Sequence, residues 1–167
     1  TMSDLFKENF FNPSRGDLSF EEVTQELIGW MKEKPEKEYE VIVGCDSASE
    51  TQPDFPVAIV LLRVGEGGRY FLKKVSYDDK EFHSVRERIL QEVVLSCDLA
   101  LKLRENLKEK VDNGLNYNLR YIHADIGKNG KTKDMIKEVV GLIKGNGFMP
   151  KIKPEAYAAS SLADRYS

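Results

Sequence analysis

Three strand-like runs, Tyr39 to Cys45, Pro56 to Val64 and Arg69 to Tyr77, come one after another before a helical pattern from Ser84 to Lys108. No other feature of the chain restricts its fold as much. The second and third runs flank Gly65-Glu66-Gly67-Gly68, a glycine turn of the kind that joins antiparallel neighbours. The long helix is a crossover instead, and a crossover returns the chain parallel to a strand already in place. The next run, Leu119 to Asp125, is therefore expected beside Tyr39–Cys45 with both C-terminal ends at one edge.

The remaining elements fit around that core. Ser19-Phe20-Glu21-Glu22 is a capping box, in which hydroxyl and carboxylate satisfy amides that a helix start leaves open. Phe20, Val23, Leu27, Ile28 and Met31 follow at helical spacing, and Lys32, Lys34 and Pro35 mark the end. Asn12 to Gly16, with its Pro and Gly, reads as an extended lead-in. Along the long helix Val85, Ile89, Val93, Ala100, Leu103 and Leu107 form one stripe, which Leu90, Val94, Cys97 and Leu101 widen. A helix from Thr132 to Lys144 stops at Gly145-Asn146-Gly147, a last strand runs from Phe148 to Lys153, and a short helix starts at Ser160. The order predicts an α/β fold, a mixed five-stranded sheet with flanking helices. We read residues 1–167 as a single domain, with 1–38 an N-terminal helical extension and 39–167 the core.

Composition removes several function classes. The 25 basic residues are outnumbered by 28 acidic ones, a net charge of −3, so overall basicity gives no reason to expect nucleic-acid binding. Any such partner has to be argued from a local site. No apolar run approaches the ~18 residues of a membrane span, and no secretory signal is expected from Thr1-Met2-Ser3-Asp4. Cys45 and Cys97 each sit in an apolar segment and read as buried thiols, which points to the reducing cytoplasm.

The candidate chemistry is carboxylate chemistry. Asp46 and Asp125 each end a strand, and each has a plain alternative as the cap of the turn that follows. On two strands expected to be adjacent, however, their like charges would repel, and a divalent cation is the usual compensation. On the long helix Glu92 lies at the border of the apolar stripe beside Ser96, either as a third acid or as a solvated boundary residue. Glu87 at the opposite border is the alternative helix acid, and Asp98 faces solvent. Asp164, three residues after Ser161, is either a capping-box acid or a fourth ligand. The run Asp125 to Thr132 imitates a phosphate-binding loop, but Asp125 replaces the first glycine that such a loop needs. His83 and His123 have no metal-ligand spacing with each other or with the cysteines.

Gly44-Cys45-Asp46-Ser47, Asp125-Ile126-Gly127 with Gly130-Lys131-Thr132, and the ending Lys153-Pro-Glu-Ala-Tyr-Ala-Ala-Ser-Ser-Leu-Ala-Asp164-Arg165 together resemble the YkuK-like family of ribonuclease H-like proteins. The likeness spans nearly the whole chain. It implies a ribonuclease H-like sheet and two Mg²⁺ or Mn²⁺ ions held by Asp46, Glu92, Asp125 and Asp164. It further implies hydrolysis of phosphodiesters in RNA, RNA/DNA hybrid or branched DNA. Lys128, Lys131, Lys153 and Arg165 are the basic residues placed to contact phosphates. The mobile histidine that ribonuclease H often carries near its last carboxylate is missing here, which leaves open a non-catalytic module that binds nucleic acid or protein.

Overall fold

The run that begins at Glu38 lies inside a seven-stranded mixed sheet, between an antiparallel and a parallel neighbour. The computed structural model describes residue 5 and residues 9–47, 50–111, 114–127 and 132–152. In chain order the elements are β1 (Phe10–Asn12), β2 (Gly16–Leu18), α1 (Phe20–Glu33), β3 (Glu38–Cys45), β4 (Phe55–Arg63) and β5 (Gly67–Val75). Then come α2 (Val85–Lys110), β6 (Asn116–His123), a 3-10 turn (Lys133–Met135), α3 (Ile136–Gly145) and β7 (Met149–Lys151).

The strand order is β2-β1-β5-β4-β3-β6-β7. β3, β4 and β5 pair antiparallel, and Gly65 and Gly67 take the positive φ (83° and 95°) that their hairpin requires. β6 pairs parallel to β3, and β7 parallel to β6. The expected adjacency of the first and fourth core strands is therefore present, with α2 as the crossover. One cluster of buried side chains joins the helices to the sheet, with Val23 and Leu27 from α1, Leu99 and Leu103 from α2, and Val139 and Ile143 from α3. They meet Val41, Val43, Val57, Ile59 and Phe71 from alternate positions of the strands.

Three expectations change. The sheet has seven strands rather than five, because Asn12–Gly16 is the turn of a hairpin and Phe11 pairs with Leu72 of β5. Strands of three residues are too short to show alternation in a sequence. The stripe on α2 also shifts. Val85 and Val94 are exposed, while Leu95 and Leu99 are buried, because the helix is covered over more of its circumference than one stripe. Finally, β3 stops at Cys45 as expected, but β6 stops at His123 and not at Asp125, so Asp125, like Asp46, lies just beyond a strand end. The helix expected from Ser160 lies outside the described residues.

The capping box is present: Ser19 Oγ accepts the Glu22 N–H at 3.1 Å, and Glu22 Oε1 accepts the Ser19 N–H at 3.0 Å. Ser19→Ala is expected to lower the thermal midpoint by about 2–4 °C, measured by circular dichroism.

Candidate functional site

Asp46 leaves the sheet without losing its register. Its N–H still donates to the Pro56 carbonyl at 3.3 Å, while its Oδ1 accepts the Ser47 N–H at 2.9 Å. The turn-capping role is therefore real, and it engages one of the two carboxylate oxygens. Asp125 lies at the same edge beyond β6. The Ala124 N–H donates to the Lys151 carbonyl and the Ile126 N–H to the Ala124 carbonyl, both at 2.9 Å, which fixes the backbone on either side. Both aspartates are half-buried.

Glu92 comes to this edge from α2. It is only 5% exposed, and Ser47 Oγ donates to its Oε2 at 2.5 Å. Burial pushes the Glu92 carboxyl up to about 8. The charge of Asp125 adds to the rise, whereas the Ser47 hydrogen bond and the Arg88 guanidinium oppose it. Glu92 thus belongs with Asp125 and the Asp46–Ser47 turn and is not a solvated boundary residue. Glu87 points elsewhere: it is exposed, accepts the His83 N–H at 3.5 Å, and its own N–H donates to the capping Ser84 hydroxyl. Asp98 is half-buried on the same helix, and burial raises its carboxyl.

The surroundings hold these groups in place. The Phe82 N–H donates to the Thr51 carbonyl at 2.6 Å, and the Phe55 ring lies 5.0 Å from Phe82 and 5.7 Å from Tyr77. Gln91, the neighbour of Glu92, donates to the Tyr77 hydroxyl at 2.8 Å. The loop after β3 and the first turns of α2 are therefore fastened to one aromatic cluster. Cys45, beneath Asp46, is buried, and burial together with the charges of Glu92 and Asp46 pushes its thiol well up. Cys97 is buried too, and its thiol is pushed up to about 11 by burial, with a lesser contribution from Asp98. Both are buried thiols, as their apolar surroundings in the sequence suggest.

Two residues of this edge escaped the sequence reading. Ser47 was visible only as the residue after an aspartate, and Arg88 only as the position one helical turn before Glu92. Asp164, Lys128, Lys131, Lys153 and Arg165 lie outside the described residues. Among the described residues, no three His, Cys, Asp or Glu side chains are grouped closely enough to hold a metal ion. The donors that are present, carboxylates with a hydroxyl beside them, are nevertheless the hard oxygen ligands that Mg²⁺ and Mn²⁺ prefer. A carboxyl as strained by burial and a like charge as Glu92 fits a place where a cation would sit.

A family profile described as "Ribonuclease H-like" matches residues 22–167. Over 99% of this chain and 99% of the relative, the sequence is 33% identical to a protein of Bacillus subtilis (strain 168) named "Uncharacterized protein YkuK". No solved structure gives a significant match. Among the described residues, no helix is long and apolar enough to cross a membrane.

Proposed function

We propose a function from one premise: the chain belongs to the ribonuclease H-like family. On that premise it is a divalent-metal-dependent nuclease that hydrolyses phosphodiesters in RNA, RNA/DNA hybrid or branched DNA. The observation that carries this reading is the meeting of Glu92 with the ends of two adjacent parallel strands, through Ser47 and beside Asp125. Asp46, Glu92 and Asp125, with Asp164, would hold Mg²⁺ or Mn²⁺. When bound, such ions activate a water and stabilise the leaving 3′ oxygen of an in-line displacement.

The chain's own residues have separable tasks. Ser47 orients Glu92 by its hydrogen bond, and the backbone bond from Asp46 to Pro56 keeps that carboxylate at the sheet edge. Burial of Glu92 keeps bulk water from one side of the site, which strengthens every charge interaction there. Arg88 adds positive charge within electrostatic reach of Glu92, on the helix that approaches the edge. Residues 39–167 carry the nuclease core, and we take the N-terminal segment as part of the same domain.

Purified protein is expected to cleave at least one of single-stranded RNA, RNA/DNA hybrid and a four-way DNA junction in Mn²⁺ or Mg²⁺. Cleavage should stop in a chelator and fall at least about a hundredfold in Asp46→Asn, the scale of losing one charged group of a preorganised site. One observation favours a non-catalytic module: the described acids alone do not group into a metal cage. Absence of cleavage by the wild type would decide for that module, and equal cleavage by Asp46→Asn would show that the cleavage does not come from this carboxyl edge.

A further inference from the structure

A second polar site lies at the opposite end of the sheet. Asp46 is beside Pro56, Pro56 pairs with Lys74, and Arg69 is five residues back along β5. That places Arg69 about 17 Å along the strand from the carboxyl edge, at ~3.4 Å per residue. Here the N-terminal hairpin meets β5. Asn12 is 6% exposed, and its carboxamide is engaged at both ends. Its Oδ1 accepts the N–H groups of Ser14 and Arg15, and its Nδ2 donates to the Tyr70 carbonyl, each at 2.9 Å. One buried side chain thus sets the turn that carries Arg15 and ties it to the residue next to Arg69.

The two arginines are also held together from the side of α1. Glu26 places one carboxylate oxygen 3.3 Å from Arg15 Nε and the other 3.9 Å from Arg69 Nη1. Arg69 lies over the Trp30 ring, 4.9 Å from its centre. On the α1 side a cavity of about 250 Å³ is lined by both arginines together with Glu22, Glu26 and Glu33. On the hairpin side a cavity of about 310 Å³ is lined, among the described residues, by Asn12, Ser14, Arg15 and Arg69, two cations and no acid.

The chemistry of this second cavity favours a tetrahedral anion. A guanidinium has five N–H donors in a fixed plane, more than one carboxylate contact uses, and its fork matches phosphate oxygens. Ser14 adds a hydroxyl. Because Asn12, Glu26 and Trp30 already order the two arginines, a ligand meets less of the entropy loss that weakens binding to mobile side chains. We propose that this cavity binds a phosphate group of a nucleic-acid strand, at a distance from the carboxyl edge. The identity of the strand rests on the nuclease reading above, whereas the anion site rests on Arg15 and Arg69 themselves.

The test is binding of a fluorescein-labelled 12-nucleotide RNA to the full chain by anisotropy in EDTA, where no cleavage enters. Arg15→Gln with Arg69→Gln is expected to weaken binding about tenfold or more, and to reduce the slope of log affinity against log salt by about 1.4 for two lost strand contacts. Ser14→Glu, which leaves both arginines in place, should weaken binding by a similar factor, and it serves if the double variant is unstable. Unchanged affinity and slope in both variants would overturn the site. Inorganic phosphate or a mononucleotide binding there as tightly as the RNA would overturn a strand as the ligand, as would equal competition by an acidic peptide. Arginine-dependent binding by a protein that cleaves nothing would keep the site and reject the nuclease.

Discussion

Arg63→Met is expected to lower the unfolding free energy by about 2–4 kcal/mol, the scale of leaving a buried carbonyl and hydroxyl without the charged donor they share. The effect comes from how α1 ends. The helix stops at Glu33 with Lys34 as its cap, leaving its last carbonyls without helical partners. Two side chains from the sheet supply donors. The Tyr39 hydroxyl donates to the Lys34 carbonyl at 2.9 Å, with the Met31 and Trp30 carbonyls farther off at 3.3 and 3.4 Å. A hydroxyl has one proton to give, so the Trp30 carbonyl takes its donor from Arg63 Nη2 at 2.9 Å.

Arg63 Nε also donates to the Tyr39 hydroxyl oxygen at 2.9 Å, and the guanidinium lies 4.2 Å from the centre of the Trp30 ring. A cation at the negative end of a helix adds to this. Among the described residues its ion-pair partner, Glu33, is exposed and 3.8 Å away, so that ion pair contributes little. Methionine keeps an apolar stem in this place, where Arg63 is 7% exposed, but supplies no donors. The thermal midpoint should fall by about 10 °C, and a double-mutant cycle with Tyr39→Phe should show coupling of about 1–2 kcal/mol. Urea unfolding followed by circular dichroism measures both. A loss below about 1 kcal/mol would mean that solvent, and not Arg63, satisfies the end of α1.

Arg63 also shows where the sequence stops being informative. At the end of a strand it looks like any solvated arginine, and only the packing of α1 against Tyr39 buries it. Strand-level features fared better. Periodicity and turn residues marked the three-strand run and its crossover, and from these follow the parallel pairing of β3 with β6 and the common edge of Asp46 and Asp125. Glu92 was legible only as a border position on a helical wheel. Its burial depends on the loop after β3 folding over α2, where Ser47 meets it 45 residues away in the chain. The hairpin of β1 and β2 failed for a different reason: its pairing is fixed by Asn12 and by β5, and not by any alternation within three residues.

Glu92→Gln is expected to stabilise the metal-free fold while removing cleavage. In a chelator the unfolded chain releases the Glu92 proton near the ordinary value of 4.5, whereas the folded protein holds it until about 8. Between those values the native state binds more protons than the unfolded state, so stability falls as pH rises from about 4.5 to about 8 and then levels off. The loss is on the order of 5 kcal/mol, at about 1.4 kcal/mol per pH unit. Of the charges that bear on Glu92, Asp125 drives the loss and Arg88 opposes it; Cys45 stays a neutral thiol. Glutamine carries no charge there and still offers an oxygen to the Ser47 hydroxyl, so this pH dependence should vanish. At pH 8.5 the variant should then unfold at higher urea than the wild type. Cleavage should drop at least about a hundredfold, and Mn²⁺ should raise the thermal midpoint of the wild type but not of the variant. A wild-type unfolding energy that stays flat from pH 5 to pH 8.5 in the chelator would show that Glu92 ionises freely where it lies. If the slope is found, a carboxyl sits where its charge weakens the fold, and binding or chemistry that needs that charge is the reason it fits this site.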